Sequence, residues 1–434
     1  MPAAIIHPFP GKSHHQSQPF TTTPPPCPAS FPVAPFQGCR PPEISLTLRM
    51  LKNPCALIFW AAAISGPLRA APPVIQSVAT TMQALVDARE ISGSVTLVAD
   101  SENIIHLAAT GLADVETQTA MRPDTVFWIA SMTKPITATA VMMMQEEGRL
   151  SVDDPVARYL PEFRQLKDAA GQPASITIRQ CLTHSSGLCD LSLDETKTTA
   201  TLAGLSPLIA SKPLKFPPGS QWQYCQTGIN TVARIVEVVS GKSYPDFLQD
   251  RLFTPLGMVD TSFYPPAAQV ARLATPYKRN ASGQLEKTGL FFLNGQPPTS
   301  RDRYPMANGG LFSTAADYAK FAQMILRGGL ATGTRYLQPA SIRQMTSPQT
   351  GDLLTGFTPG NAWGLGWCIV CQPQGASAAL SPGSFGHGGL FGTQAWIDPV
   401  KNRIHLLLIQ RSDLPNSDAS EIRRLFQNAT HTPR

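Results

Sequence analysis

Apolar residues recur at helical spacing over residues 74–89, and the period then shortens. Residues 94–99 and 104–109 are short apolar, β-branched runs joined by the polar link Asp100-Ser101-Glu102-Asn103, which predicts a hairpin. Residues 125–130 lean toward strand, whereas residues 136–147 read as helix. Pro135 fits that helix's first turn, where a missing N–H costs nothing. From residue 135 to 257 helical signals dominate: Thr177 caps a helix over 178–182, and a helix over 227–240 is closed by Gly241. Thr314 and Asp317 have capping-box spacing and open a helix that runs to Arg327 and stops at Gly328-Gly329. Strand signals return at 393–397 and 404–409, ahead of a last helix over 419–426. Strands at both ends with helices between them predict an α/β (α+β) fold. One antiparallel sheet is built from both chain ends and flanked by helices, with a mostly helical insertion. The polar stretch 264–304 is long enough to be a lid or a substrate-side insertion.

The chain before residue 72 has a different character. Residues 1–49 carry Thr23-Pro24-Pro25-Pro26, Pro41-Pro42 and few core-forming side chains, the composition of an extended or disordered segment. Arg49 and Lys52 then precede an apolar run over 55–64, followed by the exit Leu68-Arg69-Ala70-Ala71. That basic, apolar and small-residue order describes a secretory signal peptide over 50–71. The run is shorter than the ~20 residues that span a bilayer. A signal starting at Met50 marks residues 1–49 as an upstream extension or a mis-called start. The expected product is periplasmic or secreted, with one domain over 72–430 and no stable membrane anchor after cleavage.

Charge and cysteines narrow the chemistry. The net charge is +6, but Lys and Arg are scattered and never form a run of five, so there is no nucleic-acid footprint. Beyond residue 71 the cysteines are Cys181, Cys189, Cys225, Cys368 and Cys371, an odd number that implies at least one free thiol or an intermolecular bridge. Cys368 and Cys371 have redox-motif spacing but lie in a strand-like run. No second pair or histidine cluster has metal-ligand spacing, so neither a metal nor a cofactor is expected.

Ser131-Met132-Thr133-Lys134 places a hydroxyl and an amine one helical turn apart, on one face. Ser131 would sit near a helix start, where N–H groups point outward and the dipole favours negative charge. Such a tetrapeptide is common by chance, but four later segments give it a context. They are Leu182-Thr183-His184-Ser185-Ser186-Gly187-Leu188, Tyr224-Cys225-Gln226 after Pro217-Pro218-Gly219, Asn308-Gly309-Gly310-Leu311-Phe312-Ser313, and His387-Gly388-Gly389-Leu390.

In this order, over residues 74–412, the chain resembles the serine β-lactamase and penicillin-binding-protein superfamily in its class C-like branch. That branch also holds esterases, D-aminopeptidases and amide hydrolases. The resemblance implies a β-lactamase/transpeptidase-like fold with Ser131 as nucleophile, Lys134 as the motif lysine and Tyr224 as the tyrosine of the Tyr-x-Asn motif. It places His387-Gly388-Gly389 where Lys-Thr-Gly stands, and the oxyanion between the N–H groups of Ser131 and Leu390. Two positions depart from the pattern. Gln226 stands where Asn is usual, so its contact to Lys134 or substrate must shift. His387 replaces a lysine that helps hold the substrate carboxylate, and an unperturbed histidine is mostly uncharged at neutral pH.

The residues themselves support the same chemistry. A serine hydroxyl needs a neighbour to take its proton, and no Gly-x-Ser-x-Gly elbow with Asp and His is present. An amine pushed toward neutral by burial, or a phenolate beside Lys134, can serve as base, and the sequence does not choose. Gly386, Gly388 and Gly389 would let a strand edge lie against substrate. Blander roles compete: Tyr224 and His387 as packed core, His184 bracing a turn, Cys225 facing the core, Met142-Met143-Met144 as helix interior, Trp363 and Trp367 as cleft wall or core. The expectation is an exported serine hydrolase acting through acyl-Ser131 on a small-molecule ester or amide. A true class C-like β-lactamase or D-Ala-D-Ala carboxypeptidase is the alternative. A non-catalytic cell-wall module would ordinarily have lost Ser131 or Lys134. The oligomeric state is left open.

Overall fold

A strand covered on both faces reads as a mostly apolar run, and β1 (Gly93–Ala99), with Val95, Leu97, Val98 and Ala99, is buried at every position. It belongs to an eight-stranded sheet in the computed structural model, which describes residues 74–356 and 358–431. The Pro-rich segment 1–49 and the segment 50–71, expected to be a signal peptide, lie outside the described residues. The other strands are β2 (Ile104–Asp114), β3 (Thr119–Ala120), β4 (Asn361–Trp363), β5 (Cys368–Val370), β6 (Ser384–Gly388), β7 (Gln394–Asp398) and β8 (Arg403–Leu408). Their order is β4-β5-β6-β7-β8-β1-β2-β3, with every neighbour antiparallel. The two ends of the chain meet where β1 pairs β8, Val95 opposite Leu408 and Leu97 opposite Leu406.

The period-two alternation sorts these strands' side chains between two cores. Val98 and Leu407 pack with Val78 and Met82 of α1 (Gln76–Asp87) and Ile422 and Phe426 of the C-terminal helix (Glu421–Ala429). Leu97, Leu406 and Leu408 face the larger core with α2 (Thr133–Glu146), α3 (Gln226–Ser240) and α4 (Ala315–Leu326). Helix α2 is buried from Thr133 to Met144, Lys134 and three threonines included, and Met142, Met143 and Met144 are core. Helix α3 lays Ile229, Val232 and Val236 into the same core and ends at Gly241, whose φ of 73° is the left-handed cap.

Ser131 does lie near a helix start, in a 3-10 turn (Ala130–Met132) that leads directly into α2. Other local expectations shift. The strand-leaning stretch 125–130 yields only Phe127–Trp128, which pairs with Phe312–Ser313 outside the main sheet. The last helix begins at Glu421, because Ser420 caps it and Ser417–Ala419 form a separate turn. Thr314 does cap α4. The Asp317 carboxylate, however, accepts from the Asp260 N–H at 2.6 Å and the Thr261 hydroxyl at 3.1 Å, tying α4 to the segment before residue 264. The stretch 264–304 is not structureless: it holds a hairpin (Tyr277–Arg279 with Leu285–Lys287) and a turn at Phe291–Leu293.

Candidate active site

The turn before α2 opens the site. Ala130 adopts a left-handed φ of 46°, and the Thr133 hydroxyl closes the turn by donating to the Ala130 carbonyl at 2.7 Å. Ser131 then lines a cleft of about 650 Å³, within the usual range for small-molecule sites. One turn on, Lys134 is fully buried and its Nζ donates to Ser131 Oγ at 2.9 Å, Gln226 Oε1 at 2.8 Å and the Asn308 carbonyl at 2.7 Å. Burial lowers the Lys134 pKa to about 7, outweighing the opposing pull of Asp190, Cys225 and Asp418.

This cage has a chemical consequence. Gln226 Oε1 and the Asn308 carbonyl can only accept. A neutral Lys134 amine therefore spends both N–H groups on them and keeps its lone pair for the Ser131 hydroxyl.

Tyr224 stands on the other side of the serine. Its phenol is hydrogen-bonded to Ser131, and burial pushes its pKa well above the ordinary value. The Lys134 nitrogen lies 4.6 Å from the Tyr224 ring centre. His387 Nδ1 is 2.7 Å from the Gly388 carbonyl, which only accepts, so Nδ1 carries the proton. Nε2 is left as an acceptor, 3.4 Å from the Tyr224 hydroxyl. Burial and the Lys134 charge lower the His387 pKa to about 3, so the imidazole is neutral.

The expected site residues thus converge. Ser131, Tyr224, Gln226, His387, Gly388, Gly389 and Leu390 all line the cleft, with Lys134 beneath them. Gln226 keeps its contact to Lys134 despite the extra methylene, because Asn308 Nδ2 donates to the same oxygen at 2.9 Å and holds it. Gly388, at the end of β6, and Gly389 after it act differently from the expectation. A Cβ on Gly388 would lie 1.7 Å from Asp418 Oδ1, and one on Gly389 would lie 2.1 Å from Thr393 Oγ1 and 2.6 Å from the Ile129 carbonyl. Protein atoms, not an incoming substrate, occupy that space. Trp363 and Trp367 are core, and Cys225 is buried with its thiol on the Leu188 carbonyl.

Two contributors went unrecognised in the sequence. Asn308 supplies a carbonyl to Lys134 and an amide to Gln226, and its only signal was its place in the Asn-Gly-Gly motif. Asp190 gave no signal at all. Its Oδ1 accepts from the N–H groups of Gln226 at 2.7 Å and Thr227 at 3.0 Å, capping α3 from a distant segment. The cleft walls are mostly apolar, with Trp128, Leu191, Leu205, Phe291, Met306 and Leu390 among them, and no Lys or Arg is in the lining among the described residues. Phe291 and Tyr304 come from the 264–304 insertion, so that insertion does lie on the cleft side.

Residues 78–430 match the sequence profile of the family described as Beta-lactamase. The chain is 34% identical over 295 residues to penicillin-binding protein 4 of Amycolatopsis lactamdurans, covering 67% of this chain and 72% of that protein. It is 31% identical over 351 residues to esterase EstB of Burkholderia gladioli, covering 74% of this chain and 86% of that one. Its fold is similar to that of EstCE1, a hydrolase with promiscuous acyltransferase activity, with a TM-score of 0.69 and 25% identity over 82% of this chain and 99% of that one.

Proposed function

Since this chain belongs to the Beta-lactamase family, we propose that it is a serine hydrolase that acylates Ser131 with an ester or amide substrate carrying an uncharged, apolar acyl group. The observation that carries this reading is the Lys134 amine, 2.9 Å from Ser131 Oγ with its other two contacts on pure acceptors. The neutral amine takes the Ser131 proton as Oγ attacks the carbonyl carbon. The N–H groups of Ser131 and Leu390 receive the oxyanion, because the end of β6 packs against the Ala130–Met132 turn. The proton then returns to the leaving group across the Tyr224 hydroxyl, which stays protonated at neutral pH. Water repeats the attack on the acyl-enzyme with the same base.

Substrate charge follows from the cleft lining. With His387 neutral and no Lys or Arg in the walls among the described residues, a substrate carboxylate has no fixed cationic partner there. Short-chain p-nitrophenyl esters are therefore expected to be turned over with a kcat/KM well above that for nitrocefin or benzylpenicillin. His387→Lys should raise the relative rate on the carboxylate-bearing substrates by about 10- to 100-fold, the worth of one charged hydrogen bond. Relatedness to a penicillin-binding protein keeps a second reading in view. Nitrocefin turnover by the unmutated protein at or above its ester rate would make β-lactam or D-Ala-D-Ala cleavage the correct one.

Export is proposed on the segment 50–71. Expression from Met50 in a host with a periplasm should give a product cleaved near Ala70 or Ala71. N-terminal sequencing that finds a residue before Leu68 in the exported material would overturn it.

A further inference from the structure

Tyr224 has an unusual support. Ser131 and Lys134 are held by a buried helix and its leading turn, but residues 221–225 have no regular secondary structure, so their backbone N–H groups need partners from elsewhere. His184 supplies two. Its carbonyl accepts from the Gln223 N–H at 2.9 Å, and its ring Nδ1 accepts from the Cys225 N–H at 3.1 Å. The residues on either side of Tyr224 are thus pinned by one histidine.

The ring also packs on the tyrosine, with centroids 4.5 Å apart, and Trp363 backs it at 4.9 Å. Because Nδ1 accepts, the ring proton is on Nε2, which is buried and has no hydrogen-bond partner among the described residues. That tautomer leaves nothing on His184 for proton transfer to Ser131. His184 itself is anchored: it follows the helix Ile178–Leu182, the Ser185 N–H returns to the Gln180 carbonyl at 2.9 Å, and its own φ is 61°. Among side chains, asparagine tolerates that left-handed conformation well.

We infer that His184 is a positioning residue for Tyr224, fixing the phenol over Ser131 by holding the backbone N–H groups that flank it. This rests on the reading that Tyr224 takes part in proton transfer. It differs from a general packing role, because the demand is for a hydrogen-bond acceptor at Nδ1 and its effect passes through one residue.

The test compares His184→Asn with His184→Leu, two side chains of similar size of which only Asn can present an acceptor near the Nδ1 position. Each is made alone and with Tyr224→Phe, and rates are normalised to active sites counted by fluorophosphonate stoichiometry. His184→Leu should lower kcat by about 10- to 100-fold with KM changed less than about threefold, the cost of a misplaced catalytic group. His184→Asn should keep kcat within about fivefold of the parent, since the acceptor is restored. In the Tyr224→Phe background, His184→Leu should cost nothing more. If Leu prevents folding at this positive φ, Gly takes its place as the variant without an acceptor.

Equal losses in Asn and Leu, a parental kcat in Leu, or a Leu loss that persists undiminished beside Tyr224→Phe would each overturn the inference. A parental kcat in Tyr224→Phe alone would overturn the role of Tyr224 itself, and the inference with it.

Discussion

Ser131→Ala is expected to abolish ester turnover and covalent labelling by a fluorophosphonate while leaving the fold unchanged. The loss should be at least about 10⁴-fold, because no other group in an acyl-transfer site replaces its nucleophile. The fold should survive because Ser131 lies in a short turn, partly exposed to the cleft, and the change removes one oxygen from a residue that packs no core. A melting temperature within about 2 °C of the parent is the matching expectation. Intact mass after fluorophosphonate treatment, with peptide mapping of any adduct, checks both halves at once. More than a few per cent of residual activity, or an adduct on a peptide without Ser131, would remove the serine from the mechanism.

Lys134 carries the second large effect, and its pH dependence has a definite sign. The amine works as a base only when neutral, and burial lowers its pKa to about 7. Above that value the neutral form dominates. Activity, read as kcat/KM, should therefore rise through the region near pH 7 and level off above it. Lys134→Ala should cost about 10²-fold or more, the range for a positioned proton acceptor. Lys134→Arg is the sharper variant, since it keeps a cation that cannot lose its proton at any relevant pH. If the lysine acts as a base, Arg is as impaired as Ala. A role limited to holding positive charge beside Ser131 would instead leave Arg partly active and the profile flat across neutral pH. Tyr224→Phe should cost a similar factor of about 10² without moving the limb near pH 7.

These expectations rest on two kinds of information. Whatever depends on residue type and near-neighbour spacing could be read directly from the chain. The apolar runs at both ends marked strands that had to share a sheet, since neither run could cover its faces alone. The Ser131–Lys134 spacing holds although a 3-10 turn leads into the helix, because three residues complete a turn of a 3-10 helix and nearly complete one of an α-helix, so both side chains stay on one face. Helix limits were less legible. Ser420 won over Ala419 as the start of the last helix because a hydroxyl cap outweighs helical propensity.

What the sequence by itself determined was the inventory and order of the chemistry: a serine and a lysine one turn apart, a tyrosine, and a glycine-rich strand led by histidine. What only the tertiary structure decided was the state of those groups. The lowered Lys134 pKa exists because α2 is wrapped on all sides, a property of packing that no local window contains. The neutral, singly oriented His387 depends on the same burial and on the carbonyl of Gly388. Asp190 caps α3 from 36 residues away along the chain, and Asn308 reaches Lys134 across 174. Such contacts are invisible in sequence because a hydrogen bond is set by distance in space, and the chain records only distance along itself.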